Sequence, residues 1–452
     1  MDYLPFQPPT SSSGREETKS TPPRIPSPAP LLCAILRVMS ATHCCILVAF
    51  LLVSAITPAA AADEKESAAT IASLTSKGDS EKEQGHYQEA LTAYQQALTL
   101  VDKAADPKRW AAQALRVAGM HKALSHWKEA ELLYTEIIQL RESAYGKDAP
   151  ETATALHNFA NMLKTTNRLK EAEPLYRRAL AIDETSFGKD HRNVATDLNN
   201  LAQLLQDTNR LAEAEPLMRR ALAIDEANFG KDHPDLATNL NNLAQLLQAT
   251  NRLSEAEPLM RRALAINEAS FGKDHPAVAT NLNNLAVLLQ ATNRLSDAEP
   301  LMRRALAIDE ASLGKDHPNV ARDLSNLAQL LQATNRLSEA EPLMRRALAI
   351  NEASFGKDHP AVAISLNNIA LLLKATDRLN EAEPLMRRMV SILVSFTVKT
   401  GHPHPDLKTM ITNYRALLKE MGETEAQMGE KIDEIIKPVA HLLKKDGNTK
   451  GN

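Results

Sequence analysis

Residues 233–274 read HPDLATNLNNLAQLLQATNRLSEAEPLMRRALAINEASFGKD, and the same 42-residue phrase recurs with small changes over most of the chain. Two helical patterns lie inside it. Leu236, Leu240, Leu243 and Leu247 are spaced by four, three and four, one stripe of a 3.6-residue period. Leu253, Ala256, Met260, Ala263, Leu264 and Ile266 form a second stripe. Asn251 falls between the two, where the reversing chain needs a left-handed residue and Asn is the best substitute for Gly. Ser254-Glu255-Ala256-Glu257 predicts a capping box opening the second helix. Pro258 falls at about the fourth helical position, where its missing N–H forfeits at most one intrahelical bond. Pro234 marks the start of the first helix.

Outward from this unit, Gly-Lys-Asp-His recurs with its His at 191, 233, 275, 317 and 359, and Ala149-Pro150 holds the same slot one period earlier. One thin helix pair cannot bury its apolar stripe, whereas stacked pairs bury it continuously. Recurring Ala202, Ala244, Ala286 and Ala328, and Ala214, Ala256, Ala298 and Ala340, suit the close end of the ~8–10 Å helix-packing range. The expected fold is an all-α, right-handed superhelical solenoid of about nine antiparallel helix pairs.

The signature L-x-x-L-A-x-x-L…A-x-x-x-[MY]-x-x-A resembles the tetratricopeptide repeat, with Leu240 where that family often has Trp. Gly85-His86-Tyr87-Gln88-Glu89-Ala90, followed by Tyr94 and Ala97, shows its commoner form. The 42-residue version, with L-N-N-L-A, N-R-L-x-E-A-E-P-L and G-K-D-H-P, is similar to the repeats of kinesin light chains and their bacterial relatives. The resemblance covers about residues 67–445. Two N-terminal units span 67–148, six 42-residue units 149–403, and an atypical C-terminal capping unit 404–445 with a polar second helix from Thr424 to Leu443. Residues 446–452 read as a disordered tail.

Ahead of the repeats, residues 1–30 read as a disordered Pro- and Ser-rich leader. Residues 31–62 have the anatomy of a signal peptide, an apolar run ending in Thr57-Pro58 and four alanines before the charged Asp63-Glu64-Lys65-Glu66. Export to the periplasm or outside the cell, with cleavage near Ala61 or Ala62, is the expectation. An uncleaved anchor through residues 31–56 is the rival, and the membrane is a partner only in that case. Met39 could serve as the start.

Composition narrows the function classes. The net charge of −4, with both signs interspersed, is no footprint for nucleic acid. Cys33, Cys44 and Cys45 are the three cysteines, so the body from residue 46 holds no disulfide framework and no cysteine site. There is no G-x-S-x-G, no phosphate-binding glycine loop and no H-E-x-x-H. Catalytic residues, cofactors and metals are expected to be absent. Successive histidines of the 42-residue series stand too far apart for one zinc shell, whose bonds are ~2 Å, and read as loop or capping residues. The pairs Arg219/Arg220, Arg261/Arg262, Arg303/Arg304 and Arg345/Arg346 follow Glu215, Glu257, Glu299 and Glu341 at ion-pair spacing, a solvated face paired within itself. Met218, Met260, Met302 and Met344 read as core.

The asparagines are the candidate binding residues. Asn158, Asn200, Asn242, Asn284, Asn326, Asn368 and Asn413 hold one slot midway along each first helix, and Asn199, Asn241, Asn283 and Asn367 precede them, with His157 and Ser325 as exceptions. The family resemblance implies that first helices line a concave groove in which such an Asn grips a peptide backbone. A primary amide offers one donor and one acceptor group, the match to a peptide unit. The competing reading is that these amides only bond neighbouring helices and set the stacking angle. Gln203 and Gln245 would share the groove, with Arg322, Lys164 and Lys374 as its only charges. The expected function is a non-enzymatic scaffold binding an extended peptide or partner protein in a neutral groove. Its alternative is a self-assembling spacer without a specific ligand, and the chain is expected to be a monomer or weakly self-associating.

Overall fold

The computed structural model describes residues 66–445, which fall in one compact unit from Ala68 onward. The readings of the leader (1–30), of the apolar segment (31–62) with its cleavage site, and of the tail (446–452) lie outside the described residues. The helices are α1 (66–83), α2 (Tyr87–Thr99), α3 (Pro107–Ala123), α4 (Trp127–Tyr145), α5 (Pro150–Thr165), α6 (Leu169–Phe187), α7 (Arg192–Asp207), α8 (Leu211–Phe229) and α9 (Asp235–Ala249). They continue as α10 (Leu253–Phe271), α11 (Pro276–Ala291), α12 (Leu295–Leu313), α13 (Pro318–Ala333), α14 (Leu337–Phe355), α15 (Pro360–Ala375), α16 (Leu379–Thr400), α17 (Leu407–Glu420) and α18 (Glu425–Ile436). Odd-numbered helices are the first members of pairs and even-numbered helices the second. Each packs on its sequence neighbours in an all-helical solenoid.

The punctuation has local causes. Asn167, Asn209, Asn251, Asn293 and Asn335 all sit at φ between 57 and 59°, the left-handed turn that ends each first helix. The second helices open differently from the capping-box expectation. Leu253 is the first helical residue and Arg252 the N-cap, with no side-chain cap on the helix. Arg252 instead holds Glu255 through Nε at 2.7 Å, so an i,i+3 ion pair replaces the expected box. Pro258 consequently stands at the sixth position rather than the fourth, and forfeits one interior hydrogen bond. The first helices are capped by the recurring histidines. His191, His275, His317 and His359 each accept a backbone N–H through Nδ1.

The alanine and methionine stripes are buried as their spacing requires, with Ala244 and Ala256 at 0% exposure and Met260 at 1%. The last pair departs from its expectation. Thr424 caps α18 in a reciprocal box with Gln427. The second helix does not run on to Leu443, because Pro438 breaks it after Ile436 into a 3₁₀ turn, Lys437–Val439, and a short helix, α19 (Ala440–Lys445).

The solenoid also touches itself. The turns that follow α1, α3 and α5 meet the loops that open α13, α15 and α17. A Cβ on Gly85 would lie 2.5 Å from Pro318. Tyr87 stacks on Phe355 at 5.4 Å, and Trp127 meets Phe396 edge-on at 5.6 Å. Asn167 Nδ2 donates to the Pro403 carbonyl, 236 residues further along, at 3.0 Å. Burial at this seam pushes His359 down to about 4, while a hydrogen bond to the Ala123 backbone pulls the other way. Each of the first three pairs thus contacts the pair six places on.

Candidate peptide-binding groove and its polar ladder

The two adjacent asparagine rows have different surroundings, which their shared helix did not distinguish. Asn158, Asn200, Asn242, Asn284, Asn326 and Asn368 are half-buried on the first-helix face. Asn158 and Asn200 turn back on their own helices, donating to the Thr154 and Thr196 carbonyls at 3.0 and 2.8 Å. Asn242, Asn284, Asn326 and Asn368 make no side-chain hydrogen bond among the described residues. Thr196, Asn200, Gln203, Thr238 and Asn242 line a common open cavity of about 330 Å³, so consecutive members of the ladder share one surface. Gln245 is exposed, and Gln203 accepts from Lys164 Nζ at 3.1 Å.

The preceding row points inward. Asn241 and Asn283 are 8% and 3% exposed, so neither presents its amide to the groove, contrary to the expectation. A one-residue step along a helix turns a side chain by about 100°, enough to move it from the groove to the interface with the next pair. There, at five successive junctions, the row falls in register with two further polar positions, one on each of the next two helices, to give a triad of positions. Asn199 donates to Asn239, which donates to Asp225, at 2.5 and 2.6 Å. Asn241 holds the corresponding position at the next junction, where Asn267 donates to Asn281 at 2.6 Å and Asn241 Oδ1 has no hydrogen-bond partner among the described residues. Asn283 donates to Asp323 at 2.6 Å, and Asp309 lies beside them. At the last, the half-buried Ser325 donates to its own helix at the Ala321 carbonyl, while Asn351 donates to Ser365 at 3.0 Å. The first triad is His157, Asp183 and Asp197, with His157 Nδ1 3.1 Å from Asp197. Burial raises Asp225 above the ordinary carboxylate range, and it pushes Asp183 up to about 6 with Asp197's charge adding to it.

The N-terminal end of the same face is basic rather than neutral. Lys82, Arg116, Lys122 and Arg141, with Asp79 and Asn158, line a cavity of about 470 Å³. Burial lowers Lys122, and the charges of Lys164 and then Lys82 lower it further. Lys82, Lys122 and Lys164 form one lysine row. Lys122 stands one 42-residue period before Lys164, and Lys82 is 40 residues before Lys122, so the shorter first unit takes Lys82 out of the strict repeat.

The outer face is a charge lattice. Arg219 and Arg261 pair with Glu215 and Glu257 within their helices at 2.8 and 2.7 Å. The same glutamates also receive Arg252 and Arg294 from the next pair, at 2.8 and 3.0 Å. The second arginines reach the preceding pair, Arg220 to Glu184 at 2.7 Å and Arg262 to Glu226 at 2.6 Å. Such partly exposed pairs contribute roughly 0.2–1 kcal/mol each. Their arginines are spent within the molecule. No group of three or more metal-ligating side chains occurs among the described residues, and no helix there is long and apolar enough to cross a membrane.

A tetratricopeptide-repeat family model matches residues 110–185, 168–227, 193–269, 235–311, 297–353 and 339–393, and a second matches 75–123. The chain belongs to the tetratricopeptide repeat family. Among solved structures, it is similar to the kinesin-light-chain-like protein of Podosopora anserina with nearly identical TPR-like repeats. That likeness is at 25% identity over 45% of this chain and 96% of the other, with a TM-score of 0.38. It is also similar to BtubC (BKLC) from P. vanneervenii, at 23% identity over 52% of this chain and 91% of the other, with a TM-score of 0.41. No curated protein matches the sequence. Tetratricopeptide repeats generally mediate protein–protein interaction.

Proposed function

We propose that this tetratricopeptide-repeat protein is a non-enzymatic scaffold that binds an extended segment of a partner protein along its first-helix face. The half-buried Asn200, Asn242, Asn284, Asn326 and Asn368 are the contact ladder. One observation carries the reading. Four of these amides, from Asn242 to Asn368, have no hydrogen-bond partner among the described residues while standing in successive repeats on one surface. Each offers two donors and an acceptor, the complement of a peptide unit whatever its side chain. Asn is also a poor interior helix residue, whereas Asn199 and Asn283 of the row beside it hydrogen-bond across the junctions. Asn241 and Asn283 therefore leave the contact set. Export by a cleaved leader, with its membrane-anchored alternative, remains part of the proposal.

The test is a display selection of extended peptides on the full chain, followed by titration of the selected peptides. Asn242→Ala, Asn284→Ala and Asn326→Ala together should weaken binding at least about tenfold with an unchanged melting temperature, each lost hydrogen bond costing about 0.5–1.5 kcal/mol. Full affinity in the triple variant would remove the ladder from the account.

A further inference from the structure

The junction triads are not equivalent in charge, and two of them are almost the same sequence. Residues 191–198 read HRNVATDL and residues 317–324 read HPNVARDL, and each follows a second helix carrying IDE, at 182–184 and 308–310. The first stretch completes a junction with Asp183 and Asp197, the second with Asp309 and Asp323. The two aspartates of the second junction have 0% exposure. Within these stretches the junctions differ at Arg192, which is Pro318 in the second, and at Thr196, which is Arg322.

At the second junction the chain neutralises its own buried carboxylates. Arg322 Nη2 lies 3.1 Å from Asp323 Oδ1 and 3.4 Å from Asp309 Oδ2. At the junction of Asp225, Arg192 is the cation, its guanidinium over the Phe229 ring at 5.4 Å and its charge acting on Asp225. At the first junction the groups acting on Asp183 among the described residues are Asp197, Asn193 and His157, and none is a lysine or arginine. His157 lies between the two, its Nε2 3.1 Å from Asn200 Nδ2 and its Nδ1 3.1 Å from Asp197 Oδ1.

The first junction is also open. Thr154, His157, Asp183, Asn193, Thr196 and Asp197 line a cavity of about 180 Å³ with the exposed Thr154 and Thr196 at its mouth. One water requires roughly 10–15 Å³ on the same measure. Asp183 and Asp197 are 7% and 5% exposed, and one oxygen of each, Oδ1 of Asp183 and Oδ2 of Asp197, has no hydrogen-bond partner. Two buried carboxylates on an open cavity, with no lysine or arginine among the described residues acting on Asp183, suit a planar donor group, the fork that guanidinium supplies.

We propose that the socket of Asp183 and Asp197 takes a guanidinium side chain of the bound partner, entering past Thr154 and Thr196 to the place Arg322 fills three repeats further along the solenoid. The partner segment then carries an arginine that docks between α5 and α7. This rests on the reading of the first-helix face as the binding surface and adds to it a side-chain address, which the repeated amides alone do not provide.

The probe is N-acetyl-arginine amide, which has no carboxylate to occupy the basic cavity beside Lys122. It is titrated into the full chain while the backbone amide signals of Thr154 and Thr196 are followed by NMR. The expected result is a saturable shift at those residues, with the neutral isostere N-acetyl-citrulline amide at least tenfold weaker. Thr196→Arg, which copies the Arg322 junction, abolishes the response without lowering the melting temperature. Arg322→Thr creates a second site whose shifts appear at residue 280 and at 322. No saturable shift at Thr154 and Thr196, equal binding of citrulline, or an unchanged response in Thr196→Arg would each overturn the proposal. The small probe makes no use of the asparagine ladder. Its failure with the ladder variants still impaired for selected peptides sinks the socket alone, while the reverse pattern sinks the ladder.

Discussion

Replacing Arg322 by Thr removes the one cation from a junction whose two carboxylates are fully buried. Breaking a buried ion pair from one side costs about 3–5 kcal/mol when the charge left behind has no escape. Here Arg322 keeps 40% of its side-chain surface, so solvent already screens part of its attraction, and the aspartates can escape by taking up protons. A loss of about 2 kcal/mol at pH 8 is expected. The pH dependence is the sharper signature. Burial, with Asp323's charge adding to it, raises Asp309 to about 7, and burial raises Asp323 as well. A raised carboxyl holds a proton in the folded state that the unfolded chain has released above about pH 4. Stability from this pair is therefore lost as pH rises from about 4 through 7. Without Arg322 both groups rise further, so Arg322→Thr should differ from the parent by little at pH 5 and by the full amount at pH 8. Urea unfolding followed by circular dichroism at the two pH values measures it. Adding Asp309→Asn and Asp323→Asn should restore the loss at pH 8. An equal loss at pH 5 and pH 8, or no rescue by the amides, refutes the reasoning.

Asn251 sits at φ 57°, so Asn251→Ala should cost about 1 kcal/mol in urea unfolding while Asn251→Gly stays within a few tenths, because only Gly enters the left-handed region without a Cβ penalty. Tyr87→Ala removes the ring stacked on Phe355, an aromatic pair of about 0.5–1.5 kcal/mol, and should speed amide exchange in α1 and α2 about two- to tenfold while leaving α9 and α10 unchanged. Glu215, Glu257, Glu299 and Glu341 are held below the ordinary glutamate range, by hydrogen bonds from Arg219, Arg261, Arg336 and Arg378 first. Depressed carboxyls stabilise the fold above their unfolded value and lose that contribution as pH falls through the folded one. The melting temperature should therefore drop steeply below pH 4, and Glu257→Gln should lessen that drop.

The fold was legible because its determinants are local and repeated. Leucine and methionine stripes, Asn251 at the turn and proline at the first helix start each describe one pair, and copying one pair describes the array. What escaped the sequence is relational. Ser254-Glu255 has the letters of a capping box, but the left-handed Asn251 and the Arg252–Glu255 pair start the helix earlier. The seam between Tyr87 and Phe355 joins residues with no shared motif. The split between Asn241 and Asn242 is a matter of 100° of helix rotation, invisible in a doublet where both letters are Asn. Asp183 and Asp197 were readable as acids but not as neighbours, since only the stacking of α7 on α6 brings them together.

The central claim is that the half-buried asparagines bind a partner while the buried ones hold the stack, and side-chain amide NMR separates the two directly. Titrating a selected peptide into the full chain should shift the Nδ2 signals of Asn242, Asn284 and Asn326 and protect them from exchange. Those of Asn199 and Asn283, bonded across the junctions at 2.5 and 2.6 Å, should stay where they are. Shifts confined to the buried row, or saturation of the peptide with every ladder amide unmoved, would contradict the account.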